Sequence, residues 1–163
     1  MPTQRSEQDG QDGQERRIVV GVDGSVSSKA ALGWAIRQAD LTGAMVDAVI
    51  AWHYPGEYGY PTPIADDANY EELATKVVTD AIAEVSGLDG PVQIRPRVVE
   101  GNPATVLLTV SAGAELLVVG SRGHGGFVEA LLGSVSQHIV HHAMCPVVVL
   151  RLGRPLKPKA RRG

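Results

Sequence analysis

Five short apolar runs, separated by segments with helical periodicity, constrain the fold of this 163-residue chain most strongly. Two of them, "RIVVGVD" (17–23) and "AELLVVG" (114–120), are nearly continuous rather than alternating in polarity. Strands that are buried on both faces of a parallel sheet have this pattern. Because strands and helices alternate, the sequence predicts a single α/β domain with a doubly wound parallel sheet and right-handed crossovers.

Local end signals place the first elements. Ser25 is a predicted N-cap for a helix that ends at Gly43, and 45–52 is the second predicted strand. A long amphipathic helix then ends before Gly87. Its expected apolar face consists of Leu73, Val77, Val78, Ala81, Ile82 and Val85.

The second half continues the alternation. Strand three, "VQIRPRVVEG", contains Pro96, which lacks a ladder donor, and we therefore expect this strand at an edge of the sheet. Asn102 and Pro103 are a predicted cap and first-turn pair. Ser134 with Gln137 matches the S-x-x-Q capping box, which predicts a helix that starts at Ser134. A fifth strand, 145–150, follows that helix.

Composition excludes several classes of function. The net charge of -3 favours neither nucleic acid nor an anionic membrane, and no apolar run approaches the roughly 20 residues of a membrane span. A single cysteine, Cys145, and the absence of an apolar secretory segment at the start predict a cytoplasmic protein. We expect residues 1–16 to be disordered and residues 154–163 to form a basic tail.

Two stretches are expected at the carboxyl ends of strands, where doubly wound sheets bind ligands. One is "GVDGS" after strand one, and the other is "GSRGHGG" after strand four. Glycine backbone amides can approach an anion closely, Arg122 could add charge, and the helix start at 133–136 is a natural phosphate seat. The alternative is a flexible connector with an ordinary helix cap. Neither the P-loop motif nor the G-x-G-x-x-G fingerprint is present.

The spacing Gly120-x2-Gly123-x9-Gly133-Ser134 resembles the ATP-binding signature of the universal stress protein family. "IVVGVDGSVSSKAAL" is similar to the first strand and helix of that family, and "ELLVVGSRGHGGFVEALLGSVSQHIVHHAMCPVVVL" to its last third.

The resemblance implies that residues 17–153 form one Rossmann-like domain of the adenine nucleotide alpha hydrolase-like type. Its five parallel strands would have the order 3-2-1-4-5. It also implies a homodimer through the last strand, residues 146–151.

The resemblance further implies an ATP site, with ADP, AMP or a cyclic nucleotide as alternatives and with Mg²⁺ as the accompanying ion. Gly21, Val22 and Asp23 would lie beside the adenosine and Ala51 near the adenine. The residues around ribose and phosphates would be Gly120, Arg122, Gly123, Gly133, Ser134, Val135 and Ser136. Asp23 would hold either ribose hydroxyls or, through water, a phosphate-bound Mg²⁺. Trp52, larger than the residue of many relatives, would line the adenine pocket or narrow it.

The resemblance implies that the chain would be a dimeric, nucleotide-dependent stress-response sensor or regulator with an unidentified protein partner. One alternative is a slow ATP hydrolase, but no catalytic residue can be assigned, because no carboxylate is placed to orient His124 as a base. The other is a nucleotide-free interaction module, which the intact glycines disfavour. His138 and His142 lie one helical turn apart without a third ligand, so no metal site is predicted. Cys145 is assigned no chemistry.

Overall fold

The computed structural model describes residues 15–54, 69–87, 90–122 and 132–152. The strands are β1 (Arg17–Gly21), β2 (Met45–Trp52), β3 (Ile94–Glu100), β4 (Leu116–Gly120) and β5 (Val147–Leu150). The helices are α1 (Val26–Thr42), α2 (Tyr70–Ser86), α3 (Pro103–Val110) and α4 (Ser134–His142). None of these helices is both long enough and apolar enough to cross a membrane.

The sheet is parallel throughout, and its strand order is β3-β2-β1-β4-β5. Helices α1 and α2 pack on one face of the sheet, and α3 and α4 pack on the other. Alternate residues of β1 enter the two cores, with Val20 in the core beneath α1 and α2 and Val19 in the core beneath α3. The predicted doubly wound α/β fold of Rossmann-like type and its strand order are confirmed.

Most of the predicted helix ends are confirmed. The Ser25 hydroxyl accepts a hydrogen bond from the Ser28 amide at 3.2 Å, and α1 ends at Gly43, whose φ of 74° is left-handed. The Asn102 side chain accepts from two amides in the first turn of α3, those of Ala104 and Thr105. Each cap provides an acceptor for amides of the first turn, which have no hydrogen-bond partner within the helix.

Two expectations about the helices are wrong. Gly133 occupies the N-cap of α4 and no side chain caps it, so Ser134 is the first helical residue rather than the cap. In α2, Leu73 is exposed instead of lying on the apolar face, and the buried residues are Ala74, Val78 and Ala81. The other expected residues do form the face that meets the sheet, because Val77, Ile82 and Val85 pack partly buried against the same core as Val78 and Ala81.

β3 lies at an edge of the sheet, as Pro96 predicts. The Val46 amide donates to the Gln93 carbonyl at 2.9 Å, and the Gly101 amide donates to the Trp52 carbonyl at 2.8 Å. Odd-numbered residues of this segment therefore direct their backbone groups toward β2, because backbone groups alternate along a strand. The Pro96 nitrogen faces away from β2, and its missing N–H costs the sheet no hydrogen bond.

The opposite edge is β5. The Leu117 amide donates to the Pro146 carbonyl at 2.9 Å, and the Ser121 amide donates to the Leu150 carbonyl at 2.8 Å. By the same alternation, the backbone groups of Val147 and Val149 point away from β4.

A buried carboxylate lies near the amino ends of the strands. The Asp47 side chain on β2 is fully buried and accepts a hydrogen bond from Arg95 Nε at 2.8 Å. Arg17 and Arg97 place further guanidinium nitrogens 3.5 and 3.7 Å from its other oxygen. The hydrogen bond to Asp47 raises the pKa of the Arg95 guanidinium above its usual value. These arginines compensate a charge that burial alone would strongly disfavour.

Candidate functional site

A cavity of about 470 Å³ lies at the carboxyl ends of β1 and β4, where the chain turns from one side of the sheet to the other. Doubly wound sheets bind ligands at this topological position. Its lining residues are Gly21, Val22, Asp23, Ser28, Val49, Ala51, His53, Pro103, Leu107, Val119, Gly120, Arg122, Gly133, Ser134, Val135 and Ser136.

The cavity brings together every residue predicted for the site except Gly123, which lies outside the described residues. They come from places far apart in the chain: the end of β1, the end of β2, the end of β4 and the start of α4. Their shared location agrees with the sequence-based grouping. That they bind a nucleotide stays a prediction.

Asp23 is held in the turn between β1 and α1. Its carboxylate oxygen Oδ1 accepts a hydrogen bond from the Ser25 amide at 2.9 Å, and its own amide donates to the Ser28 hydroxyl at 3.2 Å. The turn places the carboxylate at the cavity while the first residues of α1 remain capped. Asp23 is therefore a positioned acidic group at this end of the sheet.

Gly120 stands where β4, α1 and α4 meet. A Cβ on this residue would lie 2.8 Å from the backbone carbonyl carbon of Ser27 and would overlap the Ser27 hydroxyl. Its carbonyl oxygen accepts a hydrogen bond from the Ser136 hydroxyl at 2.6 Å. Gly120 is thus required by close packing between elements, in addition to its place on the cavity wall.

The first turn of α4 forms another part of the wall. The N-cap residues of α1, α2 and α3 each have a side chain that accepts from an amide of the first turn, whereas the N-cap of α4 is Gly133, which has no side chain. The first amides of a helix lack intrahelical partners, and the positive end of the helix dipole favours an anion there. Arg122, which is exposed, adds a cation at the same cavity.

Sequence reasoning missed the apolar wall of the cavity. Val49 and Val119 come from strands, and Pro103 and Leu107 come from α3. Val49 could have been found, because it lies two residues before Ala51 and therefore on the same face of β2. For α3 no local signal distinguishes a helix face that lines a cavity from one that only fills a core. His53 and Ser28 add polar groups to the lining.

Trp52 does not line the cavity. It follows Ala51 on β2, so its side chain points to the opposite face of the sheet, where it packs against the core beneath α1 and α2. Its ring meets that of Tyr54 edge to face at 5.3 Å. The expectation that Trp52 lines or narrows the pocket is therefore wrong.

The histidines of α4 pack with each other. The rings of His138 and His142 stack with centroids 4.3 Å apart, and His142 Nδ1 lies 2.8 Å from the His138 carbonyl oxygen. Within residues 15–54, 69–87, 90–122 and 132–152, no group of three or more metal-ligating side chains could hold an ion.

Known proteins resemble this chain over most of its length. The family model of the universal stress protein family matches residues 15–151. A universal stress protein of Mycolicibacterium smegmatis is 37% identical over 146 residues, which cover 83% of this chain and 48% of that protein. Universal stress protein Rv2005c of Mycobacterium tuberculosis is 34% identical over 142 residues, with 82% and 47% covered. The chain thus spans about half the length of these curated relatives.

Solved structures of universal stress proteins share the fold of this chain. Universal stress protein UspA from Lactobacillus plantarum superimposes with a TM-score of 0.67 at 25% identity, covering 84% of this chain and 98% of that one. A universal stress protein solved in complex with cAMP has a TM-score of 0.54 at 28% identity, with 83% and 96% covered. With the family match over nearly all the described residues and a fold shared with these proteins, the chain belongs to the universal stress protein family.

Proposed function

We propose that this chain binds an adenine nucleotide in the cavity at the carboxyl ends of β1 and β4. ATP with Mg²⁺ is the ligand that the family resemblance implies, and ADP, AMP and a cyclic nucleotide are the alternatives. The observation that carries the proposal is the convergence of one apolar wall, one positioned carboxylate and one helix N-terminus on a single cavity. Its volume of about 470 Å³ falls in the usual range for small-molecule sites.

Each part of the cavity suits one part of a nucleotide. The apolar wall of Val49, Leu107 and Val119 offers a dry surface for a flat base. The Asp23 carboxylate can accept hydrogen bonds from ribose hydroxyls. The first turn of α4 presents amides to a phosphate.

A relative supports the choice of ligand class. The universal stress protein that was solved with cAMP is 28% identical to this chain and matches it over 96% of its own length. A site that accepts cAMP in a protein of this fold makes an adenine nucleotide the natural first probe for this cavity.

The charge of the cavity bears on the choice between ATP and its alternatives. Among the described lining residues, Arg122 and Asp23 carry the formal charges, and these nearly cancel. A triphosphate would therefore need a cation of its own. Mg²⁺ is usually held by one or two carboxylates together with the phosphates of the substrate, and Asp23 fits that role. AMP and cyclic nucleotides would need no metal.

We further propose that the protein acts by binding, as a nucleotide-dependent regulator that forms a homodimer through residues 146–151 and serves an unidentified protein partner. The outward-facing backbone groups of β5 support pairing with a second copy. The slow hydrolase is the second candidate, and for it no water-activating residue is assigned.

The test is calorimetric titration of the protein with ATP and Mg²⁺, ADP, AMP, cAMP and adenosine. We expect saturable binding of at least one phosphorylated adenine nucleotide. The variant Asp23→Asn keeps an oxygen that can accept from the Ser25 amide but removes the charge. If Asp23 holds Mg²⁺, this variant weakens binding of ATP with Mg²⁺ much more than binding of AMP. If it holds only the ribose, both weaken together.

The control is Asp80→Asn, which removes an exposed carboxylate of α2 that does not line the cavity. Failure of the parent protein to bind any adenine nucleotide would contradict the proposal. Release of inorganic phosphate at a rate that saturates with ATP, and that Asp80→Asn retains, would favour the hydrolase.

A further inference from the structure

We propose that Ser136 is a positioning residue for the phosphate end of this cavity, and that it acts through the backbone rather than as a ligand. Its hydroxyl ties the first turn of α4 to the end of β4 and so sets where the amides of that turn point. This inference rests on the proposed nucleotide site.

Two hydrogen bonds connect the start of α4 to the end of β4. The Ser136 hydroxyl donates to the Gly120 carbonyl at 2.6 Å, and the Gly133 amide donates to the Ser121 carbonyl at 2.7 Å. The two donors lie three residues apart, whereas the two acceptors are consecutive. A helix end held at two separate points resists tilting as well as translation.

The carbonyls that accept these bonds are themselves fixed. The Ser121 amide donates to the Leu150 carbonyl of β5 at 2.8 Å, so Ser121 continues the sheet ladder. Gly120 packs against Ser27 without room for a Cβ. The end of β4 is thus held between β5 and α1, and the hydrogen bonds from α4 are made to a fixed part of the sheet.

The chemistry of the Ser136 hydroxyl excludes it as a phosphate donor in this arrangement. A serine hydroxyl has one proton to donate, and here the proton goes to the Gly120 carbonyl. A phosphate oxygen is an acceptor, so it would have to compete for that proton. Ser136 as a residue is also only 4% exposed. The sequence-based expectation placed Ser136 beside the phosphates, and its backbone amide remains the group that can serve there.

Positioning matters at this helix because no cap fixes its first turn, so the bond from Ser136 to Gly120 helps to hold it in place. No side chain caps α4, and the helix has only nine residues. Anion binding at a helix N-terminus depends on amides that point at the ligand, and the dipole effect falls off within the first turn. A small displacement of these amides therefore weakens phosphate binding, whereas the apolar wall for the base is unaffected.

The test compares adenosine with AMP and with ATP plus Mg²⁺, because adenosine lacks the phosphates that Ser136 is argued to position. We expect Ser136→Ala to lower the affinity for AMP and for ATP about tenfold. Adenosine should bind as it does to the parent, within about twofold, and this unchanged affinity also shows that the variant is folded. Ser136→Thr keeps the hydroxyl and should restore phosphate-dependent affinity.

The matched control is Ser86→Ala. The Ser86 hydroxyl also donates to a backbone carbonyl, that of Ile82 at 2.7 Å, but this bond lies within α2 and away from the cavity. Its loss should change no nucleotide affinity.

Three outcomes would overturn the inference. Equal losses for adenosine and AMP in Ser136→Ala would indicate a general structural role. If that variant and the parent bound AMP equally well, Ser136 would have no positioning role, and the proposed nucleotide site would be unaffected. A parent protein that binds no phosphorylated nucleotide would overturn the proposed function, and the role of Ser136 with it.

Discussion

Gly120 shows how a single residue can be fixed by packing and still belong to a binding site. Its Cα faces Ser27 of α1 at a distance that leaves no space for a methyl group, and its carbonyl receives the Ser136 hydroxyl. Sequence alone suggested a glycine that lets a ligand approach. The structure adds that two helices approach it from the protein side.

We expect Gly120→Ala to lower the free energy of unfolding by about 2 kcal/mol, because the new Cβ must displace the backbone of Ser27. Urea denaturation followed by circular dichroism measures this change. Gly90→Ala is the control, since among the residues that the structure describes its Cβ would contact the Ser86 carbonyl oxygen alone, at an ordinary 3.7 Å. Equal effects of the two substitutions would mean that close packing at Gly120 does not limit stability.

Asp47 is the other residue whose substitution should lower the stability of the whole fold. We expect Asp47→Ala to destabilise the protein by about 2 kcal/mol, because it removes a fully buried acceptor that is hydrogen-bonded to Arg95 and leaves unfilled space in its place. Asp80→Ala breaks an ion pair with Lys76 in which both side chains are more than half exposed, and should cost less than about 0.5 kcal/mol. Chemical denaturation of both variants would test the contrast, and a small loss for Asp47→Ala would refute it.

At the scale of elements, α4 differs from the other helices in what fixes its start. Asn102→Ala removes two side-chain hydrogen bonds from the first turn of α3 and should lower stability by about 1 kcal/mol. Ser134→Ala should leave stability within about 0.3 kcal/mol of the parent, because the N-cap position belongs to Gly133. Thermal melts of the two variants are sufficient, and a loss in Ser134→Ala as large as that in Asn102→Ala would show that Ser134 caps after all.

The elements that could be predicted from sequence are those whose signals are local. Apolar runs identify strands buried on both faces, Ser25 and Gly43 mark the two ends of α1, and Pro96 assigns β3 to an edge. Each of these signals acts within a few residues, through backbone geometry or a missing donor.

Features set by tertiary contacts could not be predicted in this way. The capping-box pattern at Ser134 is present, yet the Gly133 amide is bound to the Ser121 carbonyl and the helix starts one residue after that glycine. The cavity wall from Leu107 depends on how α3 lies across β1 and β2, and nothing near Leu107 in the sequence specifies this. The site residues can be grouped only by family resemblance, since the spacing of the glycines by itself does not exclude a simple connector.

At the scale of the whole molecule, β5 offers the edge at which we propose pairing between two copies. Val149→Pro removes an N–H that points away from β4, so it should convert a dimer to a monomer without breaking the sheet. Light scattering gives the mass, and circular dichroism reports whether the sheet persists. Val149→Thr preserves the N–H and should remain dimeric. A folded Val149→Pro variant that is still dimeric would place the interface elsewhere.

Pro96, at the opposite edge of the sheet, affects how many copies can associate edge to edge. Along β3 the row of outward-facing backbone groups is interrupted where the Pro96 ring replaces an N–H, whereas along β5 Val147 and Val149 keep theirs. Each chain therefore has one sheet edge with an uninterrupted row of outward-facing N–H groups, at β5, and one edge with an interrupted row, at β3. Two such units joined at β5 have used both uninterrupted edges, and further addition would have to occur at β3, where Pro96 breaks the row of donors. Edge-to-edge association at β5 therefore favours a pair over a growing ribbon of sheets.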